Sequence, residues 1–201
     1  YGRLLRDNRT LSTLMLMTAL IEIFGFSHQT LLPVIAKDDL NVGAIGLGLM
    51  IGVRQSGGVI GVMLLANLGN FRRKGLLLFV LSSFFGLGLI SFSVMSSLGL
   101  FLVMLAFVNG CAMSVDALNR TLMQDNVADN QRGRAMGSWV IGIGTAPIGQ
   151  LEMGTLADST SSKTALLING AALATIAAQI STSLVYTYLK KDSRILFFMF
   201  L

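Results

Sequence analysis

Four ionisable residues fall inside long apolar stretches of this chain: Glu22 in LIEIFGF, Arg54 in MIGVRQSGGV, Asp116 in AMSVDALNR and Glu152 in IGQLEMGTL. A charged side chain at the centre of a lipid-embedded helix costs roughly 2.5–3.5 kcal/mol on insertion scales, so such residues face a bundle interior or a wet cavity and mark ion and substrate paths. Counted from the nearer basic end at about 1.5 Å per residue, Glu22 lies about 16 Å deep, Arg54 about 21 Å, Glu152 about 25 Å and Asp116 about 10 Å. Arg54 is then expected to meet an acid at its own depth, Glu22 first and Glu152 second. Asp116 has a nearer cation in Arg120, one helical turn away on the same face. A Glu22–Arg54 pair has two readings. It can be a static ion pair that fixes helix register. It can also be a proton-carrying site in a transport pathway, where loss of water disfavours the carboxylate and a guanidinium favours it. Glu152 admits a pathway role and a solvated, interfacial one.

Other polar residues extend the candidate set. His28, the only histidine, has the chemistry for proton handling near neutrality, or it is simply hydrated near the outer end of its span. Asn109 and Asn119 can hydrogen-bond a ligand or a neighbouring helix. Trp139 beside Arg132 and Arg134 reads as an interfacial anchor. The chain carries one histidine and one cysteine, Cys111, too few soft ligands for a zinc site. There is no Gly-rich phosphate loop and no nucleophile–base pair. No cofactor, no metal and no enzymatic activity are expected.

The elements that position these residues follow from composition. Of the 201 residues 53% are hydrophobic and only 12% charged, about half the charged share of a soluble domain. Runs of about 20 apolar residues are long enough to cross a bilayer core, and lipid allows such runs only as helices or closed barrels. The reading is an all-α membrane protein with six transmembrane helices near 11–33, 43–68, 75–95, 98–123, 135–157 and 164–189. Pro33 should close the first. Pro147 should kink the fifth and free a carbonyl.

Arg3, Arg6, Arg9, Arg72, Arg73, Lys74, Arg132, Arg134, Lys190, Lys191 and Arg194 gather on one side, against Lys37 and Lys163 on the other. Positive charge marks the cytoplasmic face, so both termini are expected there, in the plasma (inner) membrane. The net charge of +5 thus reflects topology, not nucleic-acid binding. Residues 1–10 read as the end of a central cytoplasmic loop, 11–189 as the bundle and 190–201 as a cytoplasmic tail. In the second span Ala44, Gly48, Gly52 and Ser56 form a small-residue stripe fit for close helix packing. An offset of 88 residues lays Gly61 on Gly149, Ala66 on Gly154, Leu68 on Leu156 and Asn70 on Asp158. That register superposes two helix triples of opposite topology, a three-plus-three inverted repeat of the kind found in transporters.

The segment VMLLANLGNFRRKGLLLF resembles the loop motif of the major facilitator superfamily, with Gly61, Asn70, Arg72, Arg73 and Lys74 in the motif places. Asn70 stands where an acid is usual, which weakens any charge-locked gate there. VADNQRGRAMGSWVIGIGTAPIGQLEMGTLAD is similar to the loop and eleventh helix of the enterobactin and macrolide exporter-like branch, through Arg132, Arg134, Gly137, Pro147, Gly149 and Gly154. The resemblance implies the C-terminal six-helix half of such a transporter, with an N-terminal six-helix bundle as its missing partner. It implies proton-coupled efflux of a small amphipathic molecule by alternating access, with Gly61, Asn70, Arg72 and Arg73 in a cytoplasmic gate loop. Glu22, Arg54, Asp116 and Glu152 become pathway or proton-coupling residues, and His28 and Asn109 possible ligand-lining ones. A facilitator or importer on the same fold, and a transport-inactive fragment or scaffold, are the alternatives.

Overall fold

The computed structural model describes the backbone of residues 8–68 and 74–191 and, within these, the side chains of Asn8, 10–68 and 74–179. Asn70, Arg72 and Arg73, the basic residues of the two tails, and most of the expected 1–10 and 190–201 segments lie outside the described residues. The described chain is helical throughout: α1 (Arg9–Phe24), α2 (Gly43–Asn67), α3 (Lys74–Phe92), α4 (Leu98–Asp125), α5 (Arg132–Ile143), α6 (Ala146–Ser159) and α7 (Ser162–Lys191). Four segments, Thr10–Asp39, Gly43–Asn67, Lys74–Phe92 and Leu98–Asp125, are long and apolar enough to cross a membrane.

The first of these runs past Pro33, where the sequence predicts an end. After Phe24 the helix tightens into a 3₁₀ segment (Phe26–Leu31), makes one α-turn (Leu32–Val34) and widens into a π-turn (Ile35–Asp39). Proline is tolerated there because it sits in the first turn of the short α-helical piece, where its missing N–H is not needed. The switch happens at Gly25, because the helix meets Phe85 of α3 at that point. A Cβ on Gly25 would lie 2.7 Å from both the Ile21 carbonyl oxygen and the Phe85 ring. Asn41 (φ 53°) and Gly43 (φ 61°) then turn the chain in the left-handed region and α2 begins.

The predicted span 135–157 is two helices. α5 ends at Ile143 and α6 starts at Ala146, with Pro147 in its first turn. The proline ring excludes the carbonyl four residues back, which is that of Ile143, the last residue of α5. The kink expected at Pro147 is therefore a full break just before it. Thr145 fills the gap, its hydroxyl donating to the carbonyls of Gly142 (2.7 Å) and Ala19 (3.2 Å).

α4 is the central helix. It packs on α2, α3, α5 and α1 and buries Phe101, Leu105, Val108, Asn109, Ala112, Val115 and Asn119 along most of its length. α2 packs mainly on α4. Backbone meets backbone there: a Cβ on Gly61 would lie 2.5 Å from the Gly110 Cα, and one on Gly57 2.5 Å from the Ala106 Cα. Gly48 and Gly52 face open space, so the packing face of α2 is not the predicted stripe Ala44, Gly48, Gly52 and Ser56, all of which are exposed. The stripe is rotated away from α4 by about half a turn. α1 packs on α5 and α6, where Gly149 abuts the backbone of Ile23. α3 pairs with α7 through Gly86 and Gly170, each against the other's backbone.

Candidate functional site

α1 and α2 both lie against α4, and Glu22, Arg54, Asn109, Asp116 and Trp139 belong to these helices and to α5.

Asp116 has the fullest set of partners. One oxygen accepts a 3.0 Å ion pair from Arg120, as the one-turn spacing predicts. The other accepts a 2.8 Å hydrogen bond from the Trp139 indole. The Arg120 guanidinium also sits 4.8 Å over the Trp139 ring. Trp139 is therefore not merely an interfacial anchor. It closes a triad across α4 and α5 and combines an indole N–H donor with a cation–π contact. Sequence reasoning missed it because α4 and α5 are joined by a loop whose geometry no spacing rule gives.

Glu22 is half-buried, with no ion pair among the described residues, and lies within electrostatic reach of Asp116. The expected Glu22–Arg54 pair is not formed. α2 leans on α4 instead of α1, and Arg54 turns to Asn109. Its Nε donates to the Asn109 side-chain oxygen at 3.4 Å, and the Asn109 amide donates to the Arg54 main-chain carbonyl at 2.7 Å. Asn109 is completely buried and so makes a helix–helix bond at the same place where it holds the guanidinium. Gly58 gives the room for this, since a Cβ there would lie 2.7 Å from the Asn109 amide nitrogen.

His28 is 1% exposed, so the hydrated position expected near the outer end is not what the fold provides. Its Nδ1 donates to the Gly25 carbonyl at 2.6 Å, which leaves Nε2 to accept in the neutral ring. Nε2 has no partner. The ring lies edge-on to Phe85 and within the field of Arg54. Glu152 accepts a 3.0 Å bond from the Asn169 amide of α7, which also lies 3.5 Å from the Ser27 hydroxyl. Asn169 is completely buried and its own oxygen lacks a partner. Glu152 is thus tied to α7. Asn119 takes the helix-bonding role, donating to the Thr18 hydroxyl (2.8 Å) and to the Leu14 carbonyl (3.3 Å).

Comparison with protein families places this arrangement. The model of the Major Facilitator Superfamily matches residues 14–194. The chain belongs to that superfamily. No curated protein and no solved structure matches the chain. Membership makes it a multi-pass membrane protein of a transporter family, not of an enzyme family, and gives its buried polar groups a lipid surround. Among the described residues no cluster of His, Cys, Asp and Glu could hold a metal ion. Of the expected gate-loop residues only Gly61 is described, and it is occupied in the α2–α4 contact.

Proposed function

We propose that the chain is one six-span half of a secondary active transporter of the exporter-like branch, carrying a small amphipathic molecule outward by alternating access and coupled to protons. The observation that carries the coupling is that Glu22 is half-buried, has no ion pair among the described residues and lies within electrostatic reach of Asp116. Two like charges in a half-buried site repel, and a proton on one relieves the repulsion. Asp116 is held by Arg120 and Trp139, so Glu22, free of any ion pair among the described residues, is the member that exchanges it. Proton arrival and departure at Glu22 would favour different placements of α1 against α4 and α5. Arg54, held by the buried Asn109, is the substrate contact on α2, and His28 lies buried within its field. Glu152, held by Asn169, is a further coupling residue toward the outer end.

The packing supports an inverted repeat. If α1–α2–α3 corresponds to α4–(α5, α6)–α7, the contact of α2 with α4 has its counterpart in that of α5 and α6 with α1, and α3 with α7 is its own counterpart. Gly61 and Gly149, superposed by the sequence offset, both lie at backbone-to-backbone crossings. The open stripe Ala44, Gly48, Gly52 and Ser56 on α2 is then the surface for a second six-helix bundle, with the substrate between the two. Charge asymmetry supports a plasma-membrane orientation with both termini in the cytoplasm, and Asn70, Arg72 and Arg73 in the cytoplasmic gate loop.

The test is dye efflux from vesicles with and without a proton gradient, comparing the natural protein with Glu22→Gln. Gradient-dependent efflux that becomes gradient-independent in the variant supports the reading. Efflux unaffected by the substitution removes Glu22 from coupling, and the absence of gradient dependence in the natural protein removes proton coupling altogether.

A further inference from the structure

Arg54 is the one pathway cation that lacks an acidic partner among the described residues. A half-buried guanidinium in an apolar helix is costly, and a structural role would offset that cost with an acid at close range. The described acids within the spans are otherwise placed: Asp116 with Arg120 and Trp139, Glu152 with Asn169, and Glu22 within electrostatic reach of Asp116. None lies within 4.0 Å of Arg54. His28 lies within its field, a cation or a neutral ring, never an anion. What the fold supplies is orientation. The completely buried Asn109 takes Nε and grips the Arg54 main chain. The two terminal nitrogens of the fork, which have no partner among the described residues, remain for a planar oxyanion, the group they match bidentately.

We infer that the molecule carried by this protein bears a carboxylate-type anion and that Arg54, positioned by Asn109, receives it. The inference rests on the transporter reading and narrows its substrate class from amphipathic molecules in general to amphipathic acids. Lipid headgroups are not the source. Arg54 lies about 21 Å from the cytoplasmic end of its span, well inside a hydrocarbon core of roughly 30 Å. The Glu22–Asp116 neighbourhood would then offer a substrate acid no attraction of its own. An acid seated on Arg54 would neutralise the guanidinium, as a proton would neutralise Glu22.

The test uses two probes of equal shape, dansyl-glycine and its neutral amide, binding to the purified protein in detergent. Energy transfer from Trp139, the sole tryptophan, reports occupancy. The natural protein should bind the acid at least tenfold more tightly than the amide. Arg54→Gln should bring the two together, Arg54→Lys should keep part of the preference, and Asn109→Ala should weaken the acid severalfold while keeping its lead. Equal binding of acid and amide by the natural protein, or an equal loss of both in Arg54→Gln, would overturn the assignment. Flux of the same probes in liposomes separates the two proposals. Acid-selective binding without flux keeps the anion site and removes transport, whereas flux that ignores the charge keeps transport and removes the site.

Discussion

Substituting Gly61 by alanine adds one methyl group at the place where α2 and α4 touch. The new Cβ would lie 2.5 Å from the Gly110 Cα and 2.7 Å from its carbonyl carbon. Ordinary carbon contacts begin near 3.5 Å, so the helices must part by about 1 Å. No side chain can move aside, because both neighbours are backbone. A gap of that size forfeits about a quarter to a half of each dispersion contact it opens, and the crossing extends from Gly57 and Ala106 to Gly61 and Gly110. Overpacking of this kind costs about 1–3 kcal/mol, against which alanine's better helix propensity returns at most about 1 kcal/mol. The net loss should be about 1–2 kcal/mol. Gly52→Ala in the same helix meets open space and should be neutral or stabilising by up to about 1 kcal/mol. Denaturation in mixed detergent micelles, followed by Trp139 emission, measures both. Gly61→Ala within 0.5 kcal/mol of the natural protein (about the scatter of a surface change), or Gly52→Ala as damaging as Gly61→Ala, would refute the backbone-contact argument.

Three further outcomes follow from the same geometry. Trp139→Phe removes the donor to Asp116 and should lower stability by about 1–2 kcal/mol in a thermal circular-dichroism melt; no change would mean that the triad is not formed. Asn119→Ala breaks the bonds to Thr18 and Leu14 and should cost about 0.6–2 kcal/mol in micelles, with transport in vesicles reduced no more than the folded fraction. Gly52→Leu, on the open stripe of α2, should leave bundle stability within about 0.5 kcal/mol yet impair vesicle transport if a second bundle docks there; undiminished transport would show that the stripe is not an interface.

The helical class and the apolar spans are legible in the sequence because lipid leaves the backbone so little choice. The pairing of Asp116 with Arg120 is legible for a related reason: within one helix, spacing is geometry. Contacts between helices are not. Depth counting places Glu22 and Arg54 at compatible heights, but height says nothing of azimuth, and Asn109 on α4 wins the guanidinium. The same blindness rotates the glycine face of α2. Four-residue spacing picks out Ala44, Gly48, Gly52 and Ser56, whereas the crossing uses Gly57 and Gly61, which obey the same spacing one register over. His28 shows a third limit. Its position near the end of a span suggests hydration, but the helix does not end at Pro33, and the ring packs against Phe85 and Phe92 of α3.

These differences sort the buried polar groups by the work they do. Asn119 binds helix to helix, using its donor while its oxygen stays unpaired, and Asn169 does the same between α7 and Glu152. Such bonds replace water for groups that lipid would otherwise strand. Asp116 belongs with them, since Arg120 and Trp139 account for both its oxygens. Glu22 and Arg54 do not. Each is half-buried, each lacks an opposite charge, and they are not used to neutralise one another although they lie at similar depth. A bundle selected only for stability would bring that pair together or replace both with leucine, often at a gain. Glu22 and Arg54, left without an opposite charge among the described residues, are the two groups to which we assign the proton and an anionic substrate, the species whose charges match theirs.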